Sequence, residues 1–208
     1  MIHFHQKFSH NNRVELLSRL FHDGISSLNI EEKEIRFLDI GCGDMSISKS
    51  LAVKIKDCHY TCIDIYPNRN NWVNYQQFDG NTIPFGDKTY DIAIFSDVLH
   101  HDFSNIESLL TEARRVAKYI IIKDHFEYGF FSRKVLQIAD FIGNYGYGVS
   151  IPNRYLSQDY YKDLIDKLGL LELNRTWPIN LYPNSLIAGV IIKKEFQFIS
   201  ILSTENHT

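Results

Sequence analysis

Apolar residues recur along this chain at two periods. Val14, Leu16, Leu17, Leu20 and Phe21 fall at helical spacing after Asn11 and Asn12, with Gly24 as a stop, which predicts an amphipathic helix over about 11–24. Ile35–Ile40 then reads as a buried strand that turns at Gly41-Cys42-Gly43 into a helix carrying Ile47, Leu51, Ala52 and Ile55. Further strands are predicted at Tyr60–Ile65, around Tyr75–Phe78, at Asp91–Phe95 and at Tyr119–Ile122, with Leu109, Ala113 and Val116 marking a helix between the last two. Strands and helices alternating at this spacing are the pattern of a mostly parallel α/β sheet covered on both faces. The last third changes character. After a helix near Gln158–Leu168, the runs Leu170–Leu173 and Ser185–Ile192 flank Pro183-Asn184, with too little chain between them for a helical crossover. An antiparallel hairpin at the sheet edge is the expectation there. The polar tail Ser203–Thr208 is expected to fray.

With 208 residues, 44% of them hydrophobic and 23% charged, the chain is expected to form a single domain over 1–208. Its 22 basic and 25 acidic residues leave a net charge of -3, which offers no broad electrostatic footprint for a polyphosphate, so no nucleic-acid partner is expected. Cys42, Cys58 and Cys62 are odd in number and sit in or beside apolar runs, which suits a reducing, cytoplasmic compartment better than a disulfide framework. Met1–Phe8 contains no apolar signal core, and no apolar run approaches a membrane span, so neither export nor membrane insertion is expected.

The chemistry concentrates at predicted strand ends. In Asp39-Ile40-Gly41-Cys42-Gly43-Asp44 two glycines stand where a parallel strand turns into a helix, so a ligand can approach the backbone and the unpaired N–H groups of the helix start. Asp64 ends the second strand 23 residues after Gly41, where doubly wound nucleotide folds hold an acid that accepts from the ribose hydroxyls. Taken singly, Asp64 is as well explained as a turn aspartate in Asp64-Ile65-Tyr66-Pro67. Asp79-Gly80 follows the third strand, in register to meet an adenine amino group. A nicotinamide dinucleotide is the rival ligand. Its fingerprint fails, because the third glycine position is Ser46 and Asp39 puts a charge in the first strand.

At these residues the chain resembles class I S-adenosylmethionine-dependent methyltransferases, in particular the small-molecule, "type 11" group that includes ubiquinone-pathway enzymes. Asp39-Ile40-Gly41-Cys42-Gly43 is similar to their first motif, Asp64 to the ribose-binding acid, Asp79-Gly80 with Ile83-Pro84-Phe85 to the adenine-side segment, and Phe95-Ser96-Asp97-Val98-Leu99-His100-His101 to the fourth-strand motif. The resemblance runs from about Phe37 to Ile122. It implies a Rossmann-like seven-stranded sheet in the order 3-2-1-4-5-7-6 with strand seven antiparallel. It also implies S-adenosylmethionine as cofactor, held by Asp39, Gly41, Gly43, Asp64, Ile65, Asp79, Gly80, Ser96 and His100. Met45 departs from the pattern, standing where many members have a third glycine.

Methyl transfer needs in-line geometry more than a strong base, but an oxygen acceptor gains from a nearby group that titrates near neutrality. His101 and His125 are the candidate catalytic residues, His125 first; each could equally cap a helix or satisfy a backbone carbonyl. Asp97, Asp124 and the histidines could be metal ligands by residue type, but no paired-ligand spacing supports a site and no metal is expected. The stretch 126–157 holds eight aromatics and four of the eleven glycines, with a short helix expected to end at Gly143. It reads either as a lid excluding water around an apolar acceptor or as an extra core or homodimer element. The segment after the fourth strand lacks Asn/Asp-Pro-Pro-Tyr/Phe, and there is no Pro-Cys nucleophile, which disfavours DNA methylation. The expected function is methylation, O-methylation first, of a small, partly apolar metabolite. A non-catalytic cofactor-binding or accessory protein and a protein or RNA methyltransferase are the alternatives.

Overall fold

The computed structural model describes residues 2–31, 33–68, 70–143, 150–181 and 193–205. Helix α1 (Ile2–Ser26) precedes strand β1 (Ile35–Ile40), and α2 (Ser46–Lys54) follows it. Then come β2 (Cys58–Asp64), β3 (Tyr75–Gln77), β4 (Tyr90–Ser96), a 3-10 turn at Leu99–Asp102, α3 (Ile106–Val116) and β5 (Ala117–His125). Helices α4 (Phe130–Gly143) and α5 (Gln158–Lys167) lead into β6 (Leu171–Thr176) and β7 (Gln197–Ser203). The seven strands form one sheet in the order β3-β2-β1-β4-β5-β7-β6, with β7 antiparallel to β5 and β6.

Each strand sends alternate residues to opposite faces, and each face meets its own helices. Leu38, Ile40, Ala93, Phe95, Ile120 and Ile122 pack with Leu110 and Ala113 of α3 and Tyr161 and Leu164 of α5. Phe37, Ile92, Ile94, Ile121 and Ile201 pack with Leu17, Phe21 and Ile25 of α1 and Leu51 of α2. Burial on both faces is why the strands read as continuous apolar runs.

Three expectations are corrected. Gly24 does not stop α1, which runs on to Ser26; a Cβ on Gly24 would come 2.7 Å from Ile201 Cδ1, so this glycine marks where the helix lies close on β7. Strand β5 runs on past Ile122, so Lys123, Asp124 and His125 pair with Ile199, Phe198 and Gln197 of β7 instead of following the strand. The expected hairpin is not among these corrections, since Pro183-Asn184 and Ser185–Ile192 lie outside the described residues, within which β6 pairs with Gln197–Ser203. Ser203 and Thr204 are buried, Thr204 Oγ1 donating to Ala117 O (2.9 Å) and Lys118 O (2.8 Å), so the chain is ordered two residues into the expected tail.

Candidate functional site

In this sheet the strand order reverses between β1 and β4, and a crevice opens at the carboxyl ends of strands at such a point. Gly41 turns there with φ 73°, its N–H donating to Ile63 O at 2.8 Å, and a Cβ on it would lie 2.6 Å from Val98 Cγ2. Both the backbone and the close approach of β4's trailing loop therefore require glycine. A Cβ on Gly43 would meet nothing within 4 Å, so this glycine faces open space above the crevice. Its N–H donates to Asp64 Oδ2 at 2.9 Å, tying the turn to the end of β2. Met45 keeps the left-handed conformation of the missing third glycine (φ 61°) and buries its side chain.

The cofactor-side residues fall along this rim. Asp39 is buried and accepts from Ser48 Oγ; burial pushes its carboxyl up to about 7, against the Ser48 hydrogen bond and with the help of Asp64 and Asp44. Ile65 projects half exposed beyond β2, and a Cβ on Gly80 would come 3.1 Å from its Cγ2, which brings the ends of β2 and β3 into contact. Asp79 is exposed, and its Oδ1 closes a turn by accepting from the N–H groups of Asn81 (2.8 Å) and Thr82 (2.7 Å). Ser96 ends β4 with its buried Oγ unpartnered among the described residues. Helix α1 crosses the crevice: His10 Nε2 lies 3.5 Å from Asp44 Oδ2, and Arg13, one turn on, pairs with Asp97 beyond β4.

Beside this rim the ends of β4 and β5 bring together a buried charged cluster. Asp97 takes a left-handed backbone (φ 59°) and binds both Arg13 and Lys123, whose ammonium is buried. Burial opposes its ionisation, but Lys123, His125 and Arg13 hold its carboxyl far below the usual range. Asp124 is buried and accepts from His100 Nδ1 (2.6 Å), Leu99 N (3.1 Å) and His125 N (2.7 Å). His100 Nε2 faces Asp140 of α4 at 3.5 Å, and Asp140 in turn accepts from Tyr155. Burial works against a charge on His100, yet Asp124 and Asp140 raise its pKa. His125 Nδ1 lies 3.3 Å from Asp97 Oδ1 and 3.6 Å from Asp124 Oδ1; burial and Lys123 lower its pKa. Burial and His100 likewise lower that of His101, whose ring sits 4.2 Å from that of His100. The carboxylates thus favour a proton on His100, while burial disfavours a charge on His101 and His125 beside it.

Among the described residues, His100, Asp124 and His125 offer ligand atoms within 4.8 Å of one another, a grouping that sequence spacing did not reveal. Asp124 Oδ1 accepts from His100 Nδ1, whereas His100 Nε2 and His125 Nδ1 have no hydrogen-bond partner among the described residues. The carboxylates Asp97, Asp124 and Asp140 face Arg13, Lys123 and the His100 ring, so they already have cationic or proton-bearing partners within the cluster. The geometry is that of a proton-holding cluster. Arg13, Asp140 and Tyr155 were not singled out as site residues. Lys123 could have been found, because a lysine continuing an apolar strand needs a buried carboxylate.

The Asp39 carboxyl has a pH signature. A group whose pKa rises on folding, from about 3.9 to about 7, contributes stability below its unfolded value and loses it as the pH climbs through the folded one. Asp39→Asn should therefore be more stable than the parent at pH 8. The gap between them in urea unfolding should widen by up to about 2 kcal/mol from pH 5.5 to 8. A gap independent of pH would show that Asp39 folds without its proton.

Residues 38–119 match the model of a family described as a methyltransferase domain. No curated protein matches the chain in sequence. Among solved structures, the chain is similar to a protein described as a methyltransferase in a complex with the Haloferax volcanii Trm112 methyltransferase activator. The TM-score is 0.69 at 12% identity, over 98% of this chain and 94% of that one. It is also similar to a protein described as a sarcosine dimethylglycine methyltransferase from Galdieria sulphuraria (0.65, 15%, 90% and 85%). A third is a geranyl diphosphate methyltransferase solved with S-adenosylmethionine (0.62, 14%, 92% and 85%). At these identities the likeness is one of fold.

Proposed function

We propose that the chain is a class I S-adenosylmethionine-dependent methyltransferase that methylates a small, partly apolar acceptor, at oxygen, by in-line transfer. The observation that carries this reading is the pair of largely buried imidazoles, His101 and His125, at the carboxyl ends of β4 and β5, where burial lowers the pKa of each. S-adenosylmethionine supplies the electrophilic methyl; the chain fits it through the space above Gly43, the carboxylate of Asp64 and the hydroxyl of Ser96. The protein's part is to orient the acceptor, exclude water and take one proton. Asp97 lies on the Nδ1 side of His125, and a carboxylate there favours the tautomer that leaves Nε2 to accept. The acceptor's O–H proton would pass to that nitrogen as its oxygen takes the methyl. His100, whose pKa Asp124 and Asp140 raise, positions its neighbours and is no base. Arg13 of α1 and Asp140 of α4 approach the cluster from two helices, a covered arrangement that supports a small acceptor over an RNA or protein segment.

The test is turnover with panels of phenols and aliphatic alcohols, read as S-adenosylhomocysteine formed. His125→Asn should lower kcat by roughly 100-fold or more while cofactor affinity stays within a factor of two or so of the parent. Unchanged kcat in His125→Asn would remove the base. Binding of cofactor with no turnover on either panel would favour an accessory protein of the same fold.

A further inference from the structure

Helix α4 has one face closed on the site and another that is apolar and exposed. At 100° per residue, Phe130, Ile138, Phe131 and Ile142 fall on one arc of about 120°. They are 64%, 57%, 84% and 59% exposed. The opposite arc buries Ser132 and Leu136, while Asp140 reaches Tyr155 and faces His100. Lys134 is the charged side chain on the exposed arc, its Nζ 5.6 Å from the centre of the Phe130 ring. A helix facing water ordinarily presents polar residues there. These four side chains expose on the order of 500 Å² together, a patch of the size that marks an interaction surface.

We propose that this face lays α4 onto an anionic lipid surface. A helix of 14 residues is about 21 Å long, enough to lie in the interface with Phe and Ile at the acyl boundary. The Lys134 ammonium sits over the Phe130 ring and donates to Gln137 Oε1 at 3.0 Å, a place at the edge of the apolar arc from which a lysine can reach a phosphate. Arg133, on the flank of the arc, is paired with Glu127, so the exposed charge on the arc is positive. A second copy fits less well. A two-fold contact would set Lys134 against its twin with no acid on the arc to pair it, and the patch falls short of the roughly 800 Å² per partner of a standard interface. No helix among the described residues is long and apolar enough to cross a membrane, so the contact would be one of surface docking. The acceptor class this favours is an amphiphile presented from the bilayer. That last step rests on the methyl-transfer reading, whereas the docking does not.

The experiment is co-sedimentation of the full chain with phosphatidylcholine vesicles, with and without phosphatidylserine, in the absence of cofactor. The chain should sediment with the anionic vesicles and be released by salt. The double variant Phe131→Ser/Ile142→Ser should lose at least tenfold in partitioning, with an unchanged circular dichroism spectrum because both side chains are exposed. Lys134→Glu should weaken binding to the anionic vesicles. Absence of sedimentation with either vesicle overturns the proposal. So does binding that the double variant retains, or a dimer in light scattering that the double variant dissociates. Because the assay needs neither cofactor nor acceptor, its failure is distinguishable from failure of the methyl-transfer reading.

Discussion

Asp64→Ala is expected to weaken S-adenosylmethionine binding by at least 100-fold. The side chain stands at the end of β2, largely buried, with Oδ2 taking the Gly43 N–H at 2.9 Å and Oδ1 the Tyr66 N–H at 3.3 Å. Each oxygen retains lone pairs, and a carboxylate at this place in a doubly wound fold accepts from the ribose hydroxyls. Two hydrogen bonds to a charged acceptor at about 1.5–3 kcal/mol each correspond to a hundredfold loss or more. The alanine variant also frees Gly43, so Asp64→Asn, which keeps the shape and loses the charge, should fall between parent and alanine. Calorimetric titration with S-adenosylmethionine, S-adenosylhomocysteine and a nicotinamide dinucleotide measures all three proteins. Equal affinity in parent and alanine variant would remove Asp64 from the site. Preference for the dinucleotide would overturn the cofactor assignment.

How much of the fold the sequence carried depends on whether local pattern or tertiary contact decides each element. Strands β1, β2 and β4 were legible because they are buried on both faces and bounded by turn residues, so Ile35–Ile40 needs no further information. The resemblance added the strand order. The failures have tertiary causes. Gly24 carries the local signal of a helix stop, yet the space it leaves is filled by Ile201, which is 177 residues away. Lys123-Asp124-His125 looks like polar chain leaving a strand, yet pairing with β7 keeps it extended. Two apolar runs follow Pro183; the pairing of Gln197–Ser203 with β6 is seen, and the run 185–192 lies outside the described residues.

The site divides in the same way. Gly41, Gly43 and Asp64 were legible because each answers a local demand of a strand-to-helix turn or a strand end, and the Gly43–Asp64 hydrogen bond joins them. His100, His101 and His125 were legible as a group, but their protonation was not. It depends on Asp140 and Tyr155, contributed by the insert, and on Lys123, whose place at the end of an apolar run hinted at its burial but not at its partner. Arg13 was hidden within an amphipathic helix that also carries Glu15, Arg19 and Asp23, where one more charged residue carries no sign of its partner 84 residues on.

The ion pair beneath His125 sets the largest expected loss of stability. Lys123 is almost wholly buried and Asp97 largely so; removing one member of such a pair leaves an uncompensated buried charge and costs about 3–5 kcal/mol. Asp97→Ala should lose that much in urea unfolding at pH 7. Arg13 is more exposed, so Arg13→Ala should cost roughly 1 kcal/mol. Adding Lys123→Met to Asp97→Ala removes the stranded ammonium, and an apolar side chain of similar length should recover most of the loss. The acid dependence follows from the direction of the shift. Asp97 is held below its unfolded value, so its contribution is complete above about pH 4 and disappears as the pH falls through the folded value. Stability and turnover then come apart in the double variant. It should fold nearly as well as the parent, yet His125 would have lost the carboxylate that fixes its tautomer, so kcat should stay low. Recovery of turnover together with stability would mean that Asp97 acts through folding alone. Failure of Lys123→Met to restore stability would mean that the cost of Asp97→Ala lies elsewhere than in the buried ammonium.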